Sequence, residues 1–175
     1  MKNQKFIVKI SAFISLLSGT LWLGAYMVRM VLSYQLFDID MNLASYLNES
    51  NLKEILITVA PAINITFVLY IVFIISFSLF LIFSKIKLRE NGWLFIIVMI
   101  IYLTLPFEAF LMIIDYRIIL ALNFSEVINN NYVISLIKER FIKLNGFPII
   151  IFLSYCATIY FLLFKPFTRV KKDEN

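Results

Sequence analysis

The chain has 175 residues, of which 62% are hydrophobic and only 15% charged, whereas a soluble domain is usually below half apolar and about a quarter charged. It has no histidine and one cysteine, Cys156, which excludes histidine-ligated haem, histidine metal sites, nucleophile–histidine triads and an internal disulfide. Its net charge of +5 comes from lysines and arginines beside apolar segments, so membrane topology explains the charge and nucleic-acid binding does not.

Four apolar segments follow one another: residues 6–37, 55–83, 93–114 and 147–164. Each reaches or nearly reaches the ~20 residues that carry a helix across ~30 Å of hydrocarbon. None alternates as a barrel strand would. A helix satisfies its own backbone in lipid, so helices are the reading. The predicted fold is all-α, a four-helix transmembrane bundle forming a single integral membrane domain over residues 1–175. Span one is too long for a signal-peptide core and no small-x-small cleavage site follows it, so it is expected to stay in the mature protein.

Orientation follows from the basic residues. Lys2, Lys5 and Lys9 precede span one, Lys85, Lys87 and Arg89 lie between spans two and three, and Lys165, Arg169, Lys171 and Lys172 follow span four. These regions share one side, which the positive-inside rule makes cytoplasmic. Asp38, Asp40, Glu49, Glu54, Asp115 and Glu126 fall on the other side. The chain is thus expected in the cell membrane with both termini cytoplasmic.

The second external loop carries "YVISLIKERFIKLNGFP". Val133, Ile134, Ile137, Phe141 and Leu144 recur at three- and four-residue spacing. This predicts a short amphipathic helix over residues 132–144 between spans three and four, ended by Gly146 and Pro148. It is expected to be interfacial, lying along the membrane surface with a basic face suited to anionic headgroups; a cap packed on the bundle is the alternative.

Glu108 in "LPFEAFLMIID" is the residue that most demands an explanation, because a charge within a span costs roughly 3 kcal/mol at the bilayer centre. Counted from Arg89, it stands about 28 Å along span three. Arg29 stands about 30 Å beyond Lys9 on span one, and Asn64 about 31 Å from Lys85 on span two. Equal depth predicts a polar cluster of Arg29, Asn64 and Glu108, with Arg29 and Glu108 paired. Ser11, Ser15, Ser18, Trp22, Ala25 and Arg29 form one mostly small stripe, the expected bundle face of span one. Thr104, Glu108, Leu111 and Asp115 share a face of span three. Such a cluster either fixes helix register or binds a proton or ligand.

Asp38, Asp40 and Asp115 are possible external carboxylates. Asp38 and Asp40 together could bind a cation, and Asp115 with either of them could supply carboxylate-pair chemistry, although no other motif supports an enzyme. No metal-ligand set and no cofactor motif is present. Trp93 suits an aromatic belt and Trp22 suits packing. The function expected is a non-enzymatic, structural or accessory component of a membrane assembly. Its partners are the lipid bilayer and either itself or a larger complex, with no nucleic acid. The alternative is a small oligomeric transporter or channel using Arg29, Asn64 and Glu108, ranked second because transport prefers a polar site at the midplane. A reporter fused after Asn175 should be active only in the cytoplasm; activity on the far side would invert the topology.

Overall fold

The computed structural model describes residues 2–124, 128–143 and 147–168, with side chains from Lys5 onward. Five helices follow in order: α1 (Lys2–Tyr34), α2 (Leu52–Ser84), α3 (Gly92–Asn123), α4 (Asn130–Lys143) and α5 (Phe147–Phe164). All except α4 are long and apolar enough to cross a membrane. The starts of α1 and α3 and the ends of α2 and α5 share one end of the bundle, called here the termini end. The opposite end is capped by α4.

Helix lengths set the shape. With 33, 33 and 32 residues, α1, α2 and α3 are each about 50 Å long. With 18 residues, α5 is about 27 Å long, close to the hydrocarbon thickness. The three long helices therefore overhang α5 at the capped end, and α4 packs against that overhang.

The expected spans differ from the helices mainly there. Span four coincides with α5. Span three was expected to stop at residue 114, but α3 runs on to Asn123. Hydropathy falls at Asp115 and Arg117, yet Ile118 and Ala121 stay buried in protein, so packing continues the helix where lipid no longer does. The last expected residues of span one are a turn instead, in which Leu36 and Phe37 donate to Ser33 and Tyr34. The helix expected over 132–144 is α4. Its apolar face, Val133, Ile134, Leu136 and Ile137, is buried against the bundle, so of the two readings it is the cap. Leu144 and Gly146 lie outside the described residues, as do Glu126, Arg169, Lys171, Lys172 and Asn175.

Local signals explain the ends. Asp38 accepts from the Asn42 amide at 2.7 Å and Met41 takes a left-handed φ of 60°, which turns the chain after α1. Asn48 accepts from the amides of Ser50 and Asn51, each at 3.1 Å, an Asx turn that leads into α2. Asn129 accepts from the Tyr132 amide at 3.1 Å and so caps α4.

The core has two apolar parts. Near the capped end, Leu36, Leu56, Ile63, Ile118, Val133 and Ile137 pack together. Further toward the termini end, Trp22 gathers Tyr26, Tyr70, Phe73 and Tyr155 around it. The closest helix pairing is α1 against α2. The small stripe of α1 permits it: Ser11, Ser15 and Ser18 are buried, and a Cβ on Gly19 would come within 2.9 Å of the Phe73 ring. The hydroxyls of Ser11 and Ser18 bond their own helix carbonyls, so their burial leaves no donor unsatisfied.

At the termini end the segment after α5 clasps the start of α3. The Gly92 amide donates to the Phe167 carbonyl at 3.2 Å. The Lys165 amine lies 5.6 Å from the centre of the Trp93 ring. A Cβ on Gly92 would lie 2.8 Å from the Phe167 Cβ and 3.0 Å from its carbonyl oxygen. Gly92→Ala should therefore open the clasp at a cost of about 1–3 kcal/mol. Hydrogen exchange of the residue-92 amide should quicken; unchanged protection would show that the contact does not hold the tail.

Candidate functional site

The buried polar layer lies where the overhanging helices meet α4. Arg29 enters from α1, buried to 4% exposure. Asp115 enters from α3 and is equally enclosed. The guanidinium grips the carboxylate with both arms: Nη1 donates to Oδ2 at 2.7 Å and Nη2 donates to Oδ1. Nη1 also donates to Thr66 Oγ1 at 3.2 Å. Thr66 is free to accept because its own hydroxyl bonds back to the α2 carbonyls of Ala62 and Ile63. From α4, Arg140 brings a second guanidinium, with Nη1 3.3 Å from Asp115 Oδ2. That approach lacks hydrogen-bond alignment, so it is an ionic contact. Two guanidiniums thus share one carboxylate beneath the cap.

Glu108 lies two turns from Asp115 on the same face of α3 and is buried to 3% exposure. Its two-turn offset places it about 10 Å toward the termini end, beside the Tyr26 hydroxyl. Counted as formal charges, Arg29 and Arg140 against Asp115 and Glu108 balance. Charge balance at this distance does not supply hydrogen bonds, however. Glu108 Oε1, Tyr26 Oη and Tyr70 Oη are all buried without a well-aligned hydrogen bond, although the Tyr26 hydroxyl adjoins Glu108 and the Tyr70 hydroxyl adjoins that of Tyr155. Nearby, Thr104 Oγ1 and the Tyr155 hydroxyl stand 3.2 Å apart. A cavity of about 20 Å³, lined in part by Tyr26, Arg29, Ser33 and Arg140, has room for one water molecule.

The expected trio of Arg29, Asn64 and Glu108 is therefore only partly assembled. Arg29 takes Asp115 in place of Glu108. Residues 85–91 are not helical, so counting from Arg89 set Glu108 too far toward the capped end. From Gly92, where α3 starts, Glu108 stands about 24 Å along and Asp115 about 34 Å. Asn64 faces elsewhere and accepts from Asn123 Nδ2 at 3.3 Å. The α2 residue in the layer is Thr66, on the buried stripe of Ile63, Thr66, Tyr70, Phe73 and Phe77. Asp38 and Asp40 are exposed, as expected. Asp115 is not an external carboxylate. Both its oxygens face guanidiniums, which leaves none for a pair with Asp38 or Asp40.

Arg140 and Thr66 are the residues that sequence reasoning missed. Each carried a signal in its period. Arg140 follows Val133 and Ile137 at four- and three-residue steps, on the apolar stripe of α4, and so points inward. Thr66 lies on the α2 stripe, whereas Asn64 is two residues off it. Among the described residues, no three histidine, cysteine, aspartate or glutamate side chains converge to hold a metal ion.

The four long apolar helices and the charged layer define a multi-pass helical membrane protein. Comparison with known proteins finds no matching family model, curated protein or solved structure.

Removing one member of a buried charged pair strands the other, at a cost of about 3–5 kcal/mol. Arg29→Met and Asp115→Leu should each lower thermal stability in detergent. Asp115→Leu should do so more, because it strands two guanidiniums. The double variant should recover part of the loss. Glu108→Gln should couple weakly to Arg29→Met. Additive losses for Arg29 and Asp115, or stronger coupling of Arg29 to Glu108, would contradict the pairing.

Proposed function

We propose that the chain is a non-enzymatic protein of the cell membrane, with both termini cytoplasmic, that serves as a structural or accessory component of a membrane assembly formed with itself or with a larger complex. The observation that carries this reading is how the buried charges are used. Arg29, Arg140 and Asp115 engage one another under α4, and the space beside them admits about one water. The layer thus acts as a fastener between α1, α3 and α4. The outer helix faces support the same reading. They expose Phe13, Val68, Ile82, Leu103 and Leu153, ample apolar surface for lipid or another helix.

One observation favours the alternative of an oligomeric transporter or channel. Glu108, Tyr26 and Tyr70 bring oxygens without a well-aligned hydrogen bond to one buried region, the raw material of a proton path. Reconstitution in vesicles with a trapped pH-sensitive dye separates the two readings. For a structural component, an imposed proton gradient should persist, and the native-membrane complex should be heavier than the 20.5 kDa chain. A leak abolished by Glu108→Gln would establish transport instead.

A further inference from the structure

A second cavity lies in the termini half of the bundle, on the termini side of the charged layer. It holds about 210 Å³. Its walls come from α1, α2, α3 and α5, among them Gly19, Phe77, Trp93, Ile97, Thr158 and Leu162. It exists because α1 and α5 barely touch, while the small side chains of α1 leave space between them. Its exposed wall residues include Leu16 and Thr20 of α1 and Ile159 of α5, on the apolar outer surface of the bundle.

Positive charge stands at one end of this slot. On α1 the lining residues Ala12, Leu16, Gly19 and Leu23 fall on one stripe, and three- and four-residue steps backward reach Lys9 and then Lys5. On α5 the lining residues Tyr155, Thr158 and Leu162 lead one turn later to Lys165. The clasp fixes Lys165 there, with its amine over the ring of Trp93, itself a wall of the slot. All three lysines are exposed. Among the described residues none has a carboxylate partner.

We propose that this slot binds one acyl chain of an anionic phospholipid, with the phosphate held by Lys5, Lys9 and Lys165. The apolar walls match a hydrocarbon chain. A helix is about 10–12 Å across and cannot enter so small a space. The lysines match a negative headgroup at the level where the apolar lining ends, since basic side chains near a membrane surface attract anionic lipid. Charge complementarity at one end and apolar lining along the rest thus select an amphiphile with a single negative head. The site is separate from the layer of Arg29 and Asp115, so it can be tested apart from the proposed structural role.

Trp93 is a built-in reporter, because bromine on an acyl chain quenches indole fluorescence on contact. The full chain is reconstituted in phosphatidylcholine vesicles that contain a minor fraction of brominated-chain lipid. Brominated phosphatidylglycerol should quench severalfold more than brominated phosphatidylcholine at the same fraction. Trp22 packs behind the slot walls Phe73 and Tyr155, so its share of the signal is measured separately in a Trp93→Phe variant. Changing Lys5, Lys9 and Lys165 to glutamine, all on the surface, should remove the difference between the two lipids. Thr158→Phe should fill the slot and reduce quenching by both, with Thr20→Leu as a second filling variant if the first fails to fold. Equal quenching by the two lipids would overturn the proposal, as would a preference that survives loss of the lysines. So would lipid-independent cross-linking of two copies through α1 and α5 without selective quenching, which would make the slot a contact between chains.

Discussion

A guanidinium removed from water must be answered by a carboxylate, and the rest of this structure follows from that constraint at Arg29. The partner, Asp115, comes from another helix, so α1 and α3 are tied at one level. The remaining lone pairs of Asp115 draw in Arg140 from α4, and this ties the cap to the same point. In lipid, burying apolar surface between helices gains little, because the solvent is itself apolar. Directional polar contacts then decide register. A single charged layer is enough to fix how three helices stand against one another, while the apolar cores on either side fill the space.

The overhang of the long helices makes this layer tolerable. At the bilayer centre, four charged side chains would be costly even when paired. Here Arg29, Arg140 and Asp115 gather at and beyond the start of α5, where Pro148 meets the same cavity, and Glu108 stands level with that start, where Phe107 packs on Phe147; protein encloses all four. The layer is shielded because α4 covers it, leaving space for about one water. The cap and the charges therefore depend on each other: α4 shields the ions, and Arg140 gives α4 a reason to stay.

Much of the architecture was legible in the sequence. Hydropathy marked the four spans, and for α5 the bounds agree to the residue, because both of its ends coincide with the limits of the apolar run. Three- and four-residue spacing found α4 and the buried stripe of α1. What was not legible came from geometry between helices. Depth counted from a charged residue fails when the intervening loop is not helical, as with residues 85–91, and this exchanged Glu108 for Asp115. The basic residues of the predicted helix suggested one charged outer face, but Arg140 lies on the apolar stripe of α4 and turns inward. Asn64 was chosen for its polarity and Thr66 passed over, although the period of α2 favours the threonine. For Arg140 and Thr66 helical phase was the better guide and residue type the worse one. The acyl-sized slot had no sequence signal of its own, since it arises from the spacing of α1 and α5.

The partners of Arg29 are far apart along the chain, and this has a consequence for biogenesis. Asp115 follows Arg29 by 86 positions. At about 5–20 residues per second, seconds of synthesis separate the cation from its counterion. During that interval the intimate pair of α1 and α2 can already form, with Thr66 accepting a hydrogen bond from Arg29. The nascent hairpin must therefore wait in the translocation machinery, or sit shallow with Arg29 extended toward the headgroups, until α3 arrives. Arg140 comes later still. Ribosome order thus imposes a sequence of commitments in which the hairpin is provisional, the third helix neutralises it, and the cap seals it.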